Sequence, residues 1–323
     1  SNNVRTKLEL SENGPSMPRK QSRKRKPLKK KEQVQKPNIL ELDALESIPV
    51  EEQNVIFKPN DGPQTEFLAA SEREVLYGGS AGGGKSYAML ADPLRYMGHP
   101  SFSGLLLRHT TEELRELIFK SKEIYPQIWK GIKWSERKMQ WEAPSGARLW
   151  MSYLDRDDDV LRYQGLAFSW IGFDELTQWS TPYAWNYMRS RLRSVAQDLP
   201  VYMRATTNPG GPGHQWVKKM FIDPAPYGRQ FDATDIESGN VLSYPKGHSK
   251  AGQALFKRRF IPARLSDNPY LSAQGDYEAM LLSLPEHQRK QLLEGDWDIK
   301  EGAAFTEFDR NIHVIEPFAI PRN

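Results

Sequence analysis

The feature that most constrains this chain is a glycine-rich segment, GSAGGGKS, which runs from Gly79 to Ser86. It follows the short apolar run EVLY (74–77), typical of a buried strand, and precedes a stretch that predicts a helix over 86–97. Four glycines in six residues allow the backbone to turn its N–H groups inward, with positive φ and no Cβ in the way. The segment therefore predicts a loop that cradles phosphate groups at a helix N-terminus.

The spacing G-x-x-x-x-G-K-[ST] predicts a role for each residue of this loop. The Lys85 ammonium is expected to reach the β- and γ-phosphates, and the Ser86 hydroxyl to bind Mg²⁺. The remaining cradle residues are Gly79, Ser80, Ala81, Gly82, Gly83 and Gly84. A flexible loop without a ligand is the alternative, which the position between a strand and a helix disfavours. The expected ligands are ATP and Mg²⁺.

A second motif, FSWIGFDEL (168–176), is an apolar run that ends in two adjacent carboxylates. Asp174 at the end of this predicted strand is expected to bind Mg²⁺ through water, and Glu175 to orient and polarise the attacking water. By itself the motif also fits a strand followed by a helix cap, but the upstream loop favours the catalytic interpretation. The 89 residues from Lys85 to Asp174 leave room for an intervening strand, GLLLR. This spacing suits the P-loop ATPases that keep a catalytic glutamate.

Two further segments are candidates for the same site. In MRATTNPGGPGH a fourth strand would bring Thr206, Thr207 and Asn208 near the γ-phosphate, where polar side chains sense its presence and the next loop moves in response. In FKPNDGPQTEF the amide of Gln64 can pair with the acceptor and donor edges of adenine. An ordinary turn is the alternative for each segment.

Alternating strand and helix patterns predict an α/β fold with a mostly parallel sheet flanked by helices. Together with the glycine-rich loop and the paired acids, they predict a P-loop NTPase of the ASCE or RecA-like type. The other strands are predicted over 104–108, 168–173 and 201–206, helices over 111–125 and 182–195, and a hairpin from 132–141 and 147–153. From about Tyr227 the periodicity weakens. The run 270–293 then predicts a small helical subdomain, with Tyr277, Met280, Leu281 and Leu284 on one face.

Charge is distributed unevenly along the chain. Residues 1–40 contain 12 Lys and Arg but three Asp and Glu, whereas the remainder contains 33 basic and 38 acidic residues. The block RKQSRKRKPLKKK repels itself and has few apolar residues, so residues 1–40 are expected to form a disordered basic arm. A solubilising tail, an arm that binds nucleic acid or another polyanion, and a nuclear address all fit this composition.

Several classes of site are disfavoured by composition. Cysteine is absent, which excludes disulfides and cysteine-bound metals and fits a reducing cytoplasm. No run approaches 18 uncharged apolar residues, so no membrane span is expected. The six histidines have no metal-ligand spacing. The acidic run DRDDD (155–159) is interpreted as a solvated turn and helix start, where carboxylates suit the helix dipole.

These four motifs, in this order, resemble the ATPase domain of the large terminase subunit of tailed bacteriophages and related viruses. Three C-terminal segments extend the resemblance, which runs from about Phe57 to Pro321: RRFIPARLSDNPYL, LLEGDWDIKEGAAFTEFD and HVIEPFAIP. The resemblance implies an ATP-driven motor that pushes double-stranded DNA through a portal protein into a procapsid. It also implies a homo-oligomeric ring, usually of five subunits, a small terminase subunit as partner, and host-cell cytoplasm with transient docking on the portal.

The resemblance also suggests residue roles and domain bounds. Lys85 and Ser86 match the Walker A pair, Asp174 and Glu175 the Walker B pair. Thr206, Thr207 and Asn208 match the coupling motif, and Gln64 matches the adenine-reading glutamine. The expected organisation is the arm 1–40, an ATPase core over 41–226, a lid subdomain over 227–316, and a linker over 317–323 toward a nuclease domain. Because no nuclease motif follows, this chain is not expected to cut DNA by itself.

One departure from the family concerns arginine. Many terminases carry a basic residue inside the glycine loop, which here is Ser-Ala-Gly-Gly, so another arginine must neutralise charge on the γ-phosphate. The first candidate is Arg162, in the loop DVLRYQG, acting on a neighbouring subunit. The second is Arg108, at the end of the GLLLR strand. Arg204 is the third, and its position within a strand favours a structural role.

Two other functions share some of these motifs. A helicase-like DNA-remodelling ATPase would have the same glutamine, loop and paired acids, but it needs a second RecA-like domain for which the chain after residue 227 is too short. A nucleotide-dependent scaffold that binds nucleic acid through the basic arm would not need an intact catalytic set.

Overall fold

The computed structural model of this 323-residue chain describes residues 56–273 and 275–298. The fold described here belongs to the unit that begins at Pro59. The predicted arm 1–40, the linker 317–323 and the last part of the predicted lid lie outside the described residues.

A nine-stranded sheet with the order β3-β4-β5-β2-β6-β7-β1-β9-β8 forms the centre of the fold. Its strands are β1 Glu74–Gly79, β2 Ser103–Arg108, β3 Lys133–Ser135, β4 Gln140–Glu142, β5 Arg148–Tyr153, β6 Trp170–Asp174, β7 Tyr202–Thr207, β8 Gln230–Asp232 and β9 Lys257–Ala263. The six strands from β5 to β9 in this order pair in parallel, and the outer pairs are antiparallel. The predicted α/β fold with a mostly parallel sheet is therefore confirmed.

Eight α-helices accompany the sheet in the described part of the chain: α1 Pro63–Ala69, α2 Lys85–Ala91, α3 Thr111–Ile128, α4 Tyr183–Arg189, α5 His214–Val217, α6 Pro269–Ser272, α7 Asp276–Leu282 and α8 Glu286–Arg289. Short 3₁₀ turns cover Asp92–Tyr96, Asp157–Tyr163, Leu176–Gln178 and Leu265–Asp267, and π-helical turns cover Lys218–Ile222 and Lys290–Glu294. No described helix combines the length and apolar character needed to cross a bilayer.

Local sequence explains where the longest helix begins. The Thr110 hydroxyl accepts a hydrogen bond from the Glu113 N–H, and the Glu113 carboxylate accepts one from the Thr110 N–H, so the first turn of α3 has a capping box. Leu114, Leu117 and Tyr125 face the sheet from this helix and are buried. The 3.6-residue period that predicts the helix therefore also predicts its buried face.

Three predicted elements are shorter or divided in the structure. The helix expected over 86–97 is α2 followed by the 3₁₀ turn Asp92–Tyr96, because Pro93 has no N–H to continue the α-helical ladder. The run 132–141 forms two short strands, β3 and β4, rather than one. The helix expected over 182–195 ends at Arg189, because the backbone of Phe168 pairs with the following residues 191 and 193.

The C-terminal part also differs from its prediction. Strand β9 lies within the predicted lid 227–316, yet it pairs in parallel with β1 near the centre of the sheet. The chain after Tyr227 therefore returns to the core before it forms helices α6 to α8. Of the residues predicted to share one helical face, Leu281 is buried and Met280 is 66% exposed.

A buried ion cluster secures the start of β1. The Glu74 carboxylate is fully buried, lies 2.7 Å from Arg258 Nε of β9, and also pairs with Arg189 at the end of α4. Burial alone would raise the pKa of Glu74, but the two guanidinium groups outweigh it and lower that pKa. One carboxylate thus links β9 and α4 to the N-terminal end of β1.

We expect Glu74→Gln to lower the free energy of unfolding by about 3–5 kcal/mol, because it leaves Arg258 buried without a counter-charge. Urea unfolding at pH 7 measures this loss. The matched control is Glu66→Gln, whose exposed pair with Arg259 should contribute less than about 1 kcal/mol. Equal losses in the two variants would contradict the structural role of the buried cluster.

The same variant gives a pH test. The lowered pKa means that the Glu74 carboxylate contributes stability above its ordinary value of 4.5, and that this contribution is lost as the pH falls toward the lower folded pKa. The difference in stability between the unmodified chain and Glu74→Gln should therefore shrink below that pH. A difference that stays constant from neutral pH to pH 3 would contradict this assignment.

Candidate nucleotide-binding site

The glycine-rich segment forms a loop between β1 and α2, as the sequence predicts. Gly79 and Gly84 have φ values of 138° and 76°, which disfavour residues with a side chain. A Cβ at Gly79 would also collide with the Ala263 carbonyl of β9. The Tyr77 hydroxyl donates a 2.7 Å hydrogen bond to the Gly83 carbonyl, so that carbonyl is already paired.

The loop leaves a set of backbone donors unused. The Ser80 N–H donates to the Ala263 carbonyl at 2.8 Å, and the Ala81 N–H donates to the Leu292 carbonyl at 2.6 Å. In the described part of the chain, no hydrogen bond is donated by the next five main-chain N–H groups: Gly82, Gly83, Gly84, Lys85 and Ser86. Five successive free N–H groups at the start of a helix form a cradle suited to phosphate oxygens.

Lys85 lies inside this cradle. Its side chain is buried, and its ammonium donates a 2.6 Å hydrogen bond to the Ser80 carbonyl. Burial lowers the pKa of Lys85, while the negative charges of Glu175 and Asp174 oppose that shift. The cation is thus held between the phosphate loop and the paired acids.

Asp174 ends β6 beside the loop and is fully buried. It pairs in register with Thr206 of β7, whose hydroxyl donates to Asp174 Oδ1. Arg108 Nε, at the end of β2, approaches Asp174 Oδ2 to 2.7 Å. The two groups form an ion pair, but the Arg108 Nε–H does not point at Asp174 Oδ2 well enough to form a hydrogen bond. Burial alone would lower the pKa of Arg108, but Asp174 and Glu175 outweigh it and raise that pKa.

Glu175 has an unusual backbone conformation. Its φ of 61° and ψ of 57° place a non-glycine residue in the left-handed region, which costs about 1–3 kcal/mol. Burial and the neighbouring Asp174 raise the pKa of Glu175, whereas Lys85, Arg108 and the Asn208 N–H lower it. The strained turn directs adjacent carboxylates to different surroundings, which is the arrangement expected when two acids have different roles.

The end of β7 is linked to the segment that follows Glu175. The Thr207 and Thr177 hydroxyls lie 2.7 Å apart, and the Thr177 carbonyl accepts a 2.7 Å hydrogen bond from the Gly213 N–H. The side-chain oxygen of Asn208 is buried and has no hydrogen-bond partner among the described residues. An unpaired buried acceptor beside two carboxylates is consistent with a ligand or water at this position.

The C-terminal segment covers the first half of the loop. The Ser80 hydroxyl donates to the Leu293 carbonyl at 2.6 Å, and Gly295 lies so close to Ser80 that a Cβ there would collide with the Ser80 N–H. The Asn268 amide donates to the Gly82 carbonyl at 2.6 Å. A cavity of about 270 Å³ adjoins this contact and is lined by Arg264, Leu265, Ser266, Ser272, Glu278, Leu293 and Glu294.

Gln64 lies at the loop, but its amide already has protein partners. The side-chain NH₂ donates to the Gly84 carbonyl at 2.9 Å, and the side-chain oxygen accepts from the Asn60 N–H at 2.6 Å. The side chain is also buried. In this structure Gln64 therefore supports the phosphate loop, and its amide oxygen can accept from adenine only if the bond from Asn60 opens or is shared.

The three candidate arginines occupy very different positions. Arg162 is part-exposed on the 3₁₀ turn Asp157–Tyr163, where it pairs with Asp159 at 2.8 Å. Arg204 is buried and donates to the carbonyls of Glu72, Met203 and Ala70, in agreement with a structural role. Of the three, only Arg108 contacts an acid of the site.

The site fits a magnesium–nucleotide complex. Asp174 Oδ2 lacks an aligned donor, the Ser86 hydroxyl adjoins the free N–H groups, and the Asn208 oxygen is unpaired. These are oxygen ligands of the kind that Mg²⁺ prefers. No group of three or more His, Asp or Glu that could hold a metal occurs among the described residues. In the acidic run 155–159, Asp159 accepts hydrogen bonds from the N–H groups of Asp155 and Arg156, as a turn requires.

Sequence patterns did not identify the residues whose hydrogen bonds fix the loops of this site. Tyr77, Thr177 and Asn268 are ordinary polar residues in strand or turn positions, and no motif identifies them. Gly295 gives the one available signal, since a glycine between a helix and an acidic turn predicts positive φ; its φ is 66°.

This chain is similar to proteins of one known family. The sequence model described as "Phage terminase large subunit" matches residues 71–251, more than half of the chain. The comparison with curated proteins gave no match.

Two solved structures of the large terminase of a thermophilic bacteriophage are similar to this chain. The match to its ADP complex has 18% identity and a TM-score of 0.51, and covers 81% of this chain and 60% of the terminase chain. The match to a second crystal form has 17% identity and a TM-score of 0.54, and covers 82% and 60%. This chain thus spans about 60% of the length of those structures. At these identities the likeness establishes the fold, and together with the family match it shows that the chain belongs to the phage terminase large subunit family.

Proposed function

We propose that this chain is the ATP-hydrolysing motor part of a phage terminase large subunit and that it drives double-stranded DNA into a procapsid. The observation that carries the proposal is the cradle of five free N–H groups, Gly82 to Ser86, beside the paired acids Asp174 and Glu175. Family membership and the fold support the same assignment. The ADP bound to the terminase of the thermophilic bacteriophage supports an adenine nucleotide as ligand.

The loop residues would bind the triphosphate of ATP. The free N–H groups would donate to the β- and γ-phosphate oxygens, and Lys85 would exchange its bond to the Ser80 carbonyl for a phosphate oxygen. Ser86 and Asp174 would hold the Mg²⁺, which when bound neutralises charge on the phosphates. The assignment of Gln64 to adenine rests on the family resemblance and stays a prediction.

Glu175 would act as the base that orients the attacking water. The raised pKa of its carboxyl makes it a better proton acceptor than an exposed glutamate, while Lys85 and Arg108 keep that pKa from rising further. Asn208 would place its unpaired oxygen near the same water or the γ-phosphate, as a sensor.

The proposed partners follow from the family. They are double-stranded DNA, the portal protein, the small terminase subunit and further copies of this chain in a ring of about five, in the host cell with transient docking on the procapsid. We propose the core 41–226 and the lid 227–316 as functional units. Strand β9 belongs to the lid range and pairs with β1 of the core.

We expect Glu175→Gln to bind ATP with an affinity within a few-fold of the unmodified chain and to lose hydrolysis by about 10²-fold or more, because the amide cannot accept a proton. Phosphate release and binding of a fluorescent ATP analogue measure the two properties. Glu142→Gln, an exposed carboxylate on β4, is the control and should retain both. Normal turnover in the Glu175 variant would remove its assignment as the base.

Mixing experiments separate the two arginine candidates. Arg108→Ala should lower hydrolysis by about 10³-fold, and adding Glu175→Gln subunits should not restore it, because Arg108 contacts Asp174 of its own chain. If Arg162 instead serves a neighbouring subunit, Arg162→Ala mixed with Glu175→Gln should recover part of the activity. Rescue of Arg108→Ala, or full activity in it, would contradict the assignment within one chain.

A further inference from the structure

The segment between β8 and β9, residues 233–256, forms a separate antiparallel arm, named here the β8–β9 arm. The Ala233 N–H donates to the Phe256 carbonyl at 3.0 Å, and the Leu242 N–H to the Ala233 carbonyl at 2.7 Å. The Leu255 N–H donates to the Leu242 carbonyl at 2.8 Å. Three short runs of backbone therefore pair beyond the edge of the sheet, where almost every residue from 237 to 253 is exposed.

The arm lies away from the phosphate loop. Strand β9 runs parallel to β1, and the loop follows the C-terminal end of β1. The arm joins β9 at its N-terminal end, and the phosphate loop lies at the other end of these parallel strands. Changes at the arm can therefore be tested without touching the nucleotide site.

The tip of the arm, residues 244–253, is held in one shape. The Tyr244 N–H donates to the Gln253 carbonyl at 2.9 Å, and the Gly252 N–H donates to the Tyr244 carbonyl at 3.1 Å. The His248 ring stacks on the Tyr244 ring with centroids 4.5 Å apart, and His248 Nδ1 accepts from the Lys250 N–H at 3.1 Å. The Lys250 ammonium lies 5.7 Å from the Tyr244 ring centre. An aromatic pair thus positions basic groups on the tip.

The cations of the tip lack counter-charges. Lys246 and Lys250 have no carboxylate partner within 4.0 Å in the described part of the chain, and residues 244–253 contain no Asp or Glu. Five other lysines do have such partners: Lys120, Lys122, Lys218, Lys257 and Lys290. The described residues, 56–273 and 275–298, contain 30 Lys and Arg and 29 Asp and Glu, so the tip is a positive point on a nearly neutral body. Such a point attracts a polyanion.

We infer that the tip of the β8–β9 arm binds backbone phosphates of duplex DNA, with Lys246 and Lys250 as counter-charges. Because His248 Nδ1 accepts a hydrogen bond, its Nε2 carries the proton and supplies a third donor. The residues between these groups are Pro245, Gly247 and Ser249, which offer no apolar core of the kind that protein interfaces have. Contacts of this kind hold a duplex without reading its sequence. The choice of duplex DNA rests on the proposed function.

The test is a salt titration of duplex binding by the full chain. A duplex of about 30 base pairs and the Lys246→Ala/Lys250→Ala variant are compared with the unmodified chain by fluorescence anisotropy between about 50 and 200 mM salt. Loss of two phosphate contacts should make the slope of log K against log salt shallower by about 2 and weaken binding equally for unrelated sequences. The control Lys122→Ala/Lys290→Ala removes the same formal charge from paired lysines and should leave the slope near its original value.

Two results would overturn the inference: an unchanged slope in the arm variant, or an equal change in the control variant. A fall in binding to poly-glutamate with unchanged duplex binding would also overturn it, and would indicate an acidic protein partner instead. The arm variant should keep the DNA-independent ATP hydrolysis of the unmodified chain, since its residues lie far from the loop. If the unmodified chain hydrolyses no ATP, the proposed function fails, while the duplex titration still decides the arm.

Discussion

The site depends on one constraint: β1 lies between two parallel neighbours, β7 and β9, so the carboxyl ends of all three strands meet at one edge of the sheet. At that edge β1 continues into the phosphate loop, β7 supplies the threonines and Asn208, and β9 ends at Ala263. The Ser80 N–H donates to the Ala263 carbonyl, and Gly79 passes too close to β9 for any side chain. The loop therefore owes its shape to a tertiary contact as well as to its glycines.

Charge balance inside the site follows from this arrangement. The buried Asp174 and the half-buried Glu175 face two cations, Lys85 and Arg108. The charges of both acids act to raise the pKa values of the two cations, and both cations act to lower the pKa of Glu175. A nearly neutral cluster avoids the large cost of an unpaired buried charge. Under the proposed function, a bound phosphate would replace part of the ion pairing that these cations make with the acids.

The loop that follows β7 joins this cluster to the C-terminal segment. The Gly213 N–H bonds to the Thr177 carbonyl on one side, while His214 stacks on Trp297 and its Nδ1 accepts from the Gly210 N–H. The C-terminal segment in turn bonds to Ser80 and Ala81 in the phosphate loop. The end of β7 therefore has a continuous path of direct contacts to the helical part of the chain.

The sequence by itself determined the α/β fold, the phosphate loop and the paired acids, because each of these depends on local chemistry. Strand and helix periods, glycines before a helix, and carboxylates after a buried strand act within a few residues. Tertiary structure decided the rest. It paired β9, which lies within the predicted lid, with β1 of the sheet. It also placed the Gln64 amide in a hydrogen bond to the loop. It formed the ion pair between Arg108 and Asp174, whereas Arg162 is part-exposed and pairs with Asp159. These outcomes depend on which strands become neighbours, and no local pattern encodes strand order, because pairing partners lie far apart in the chain.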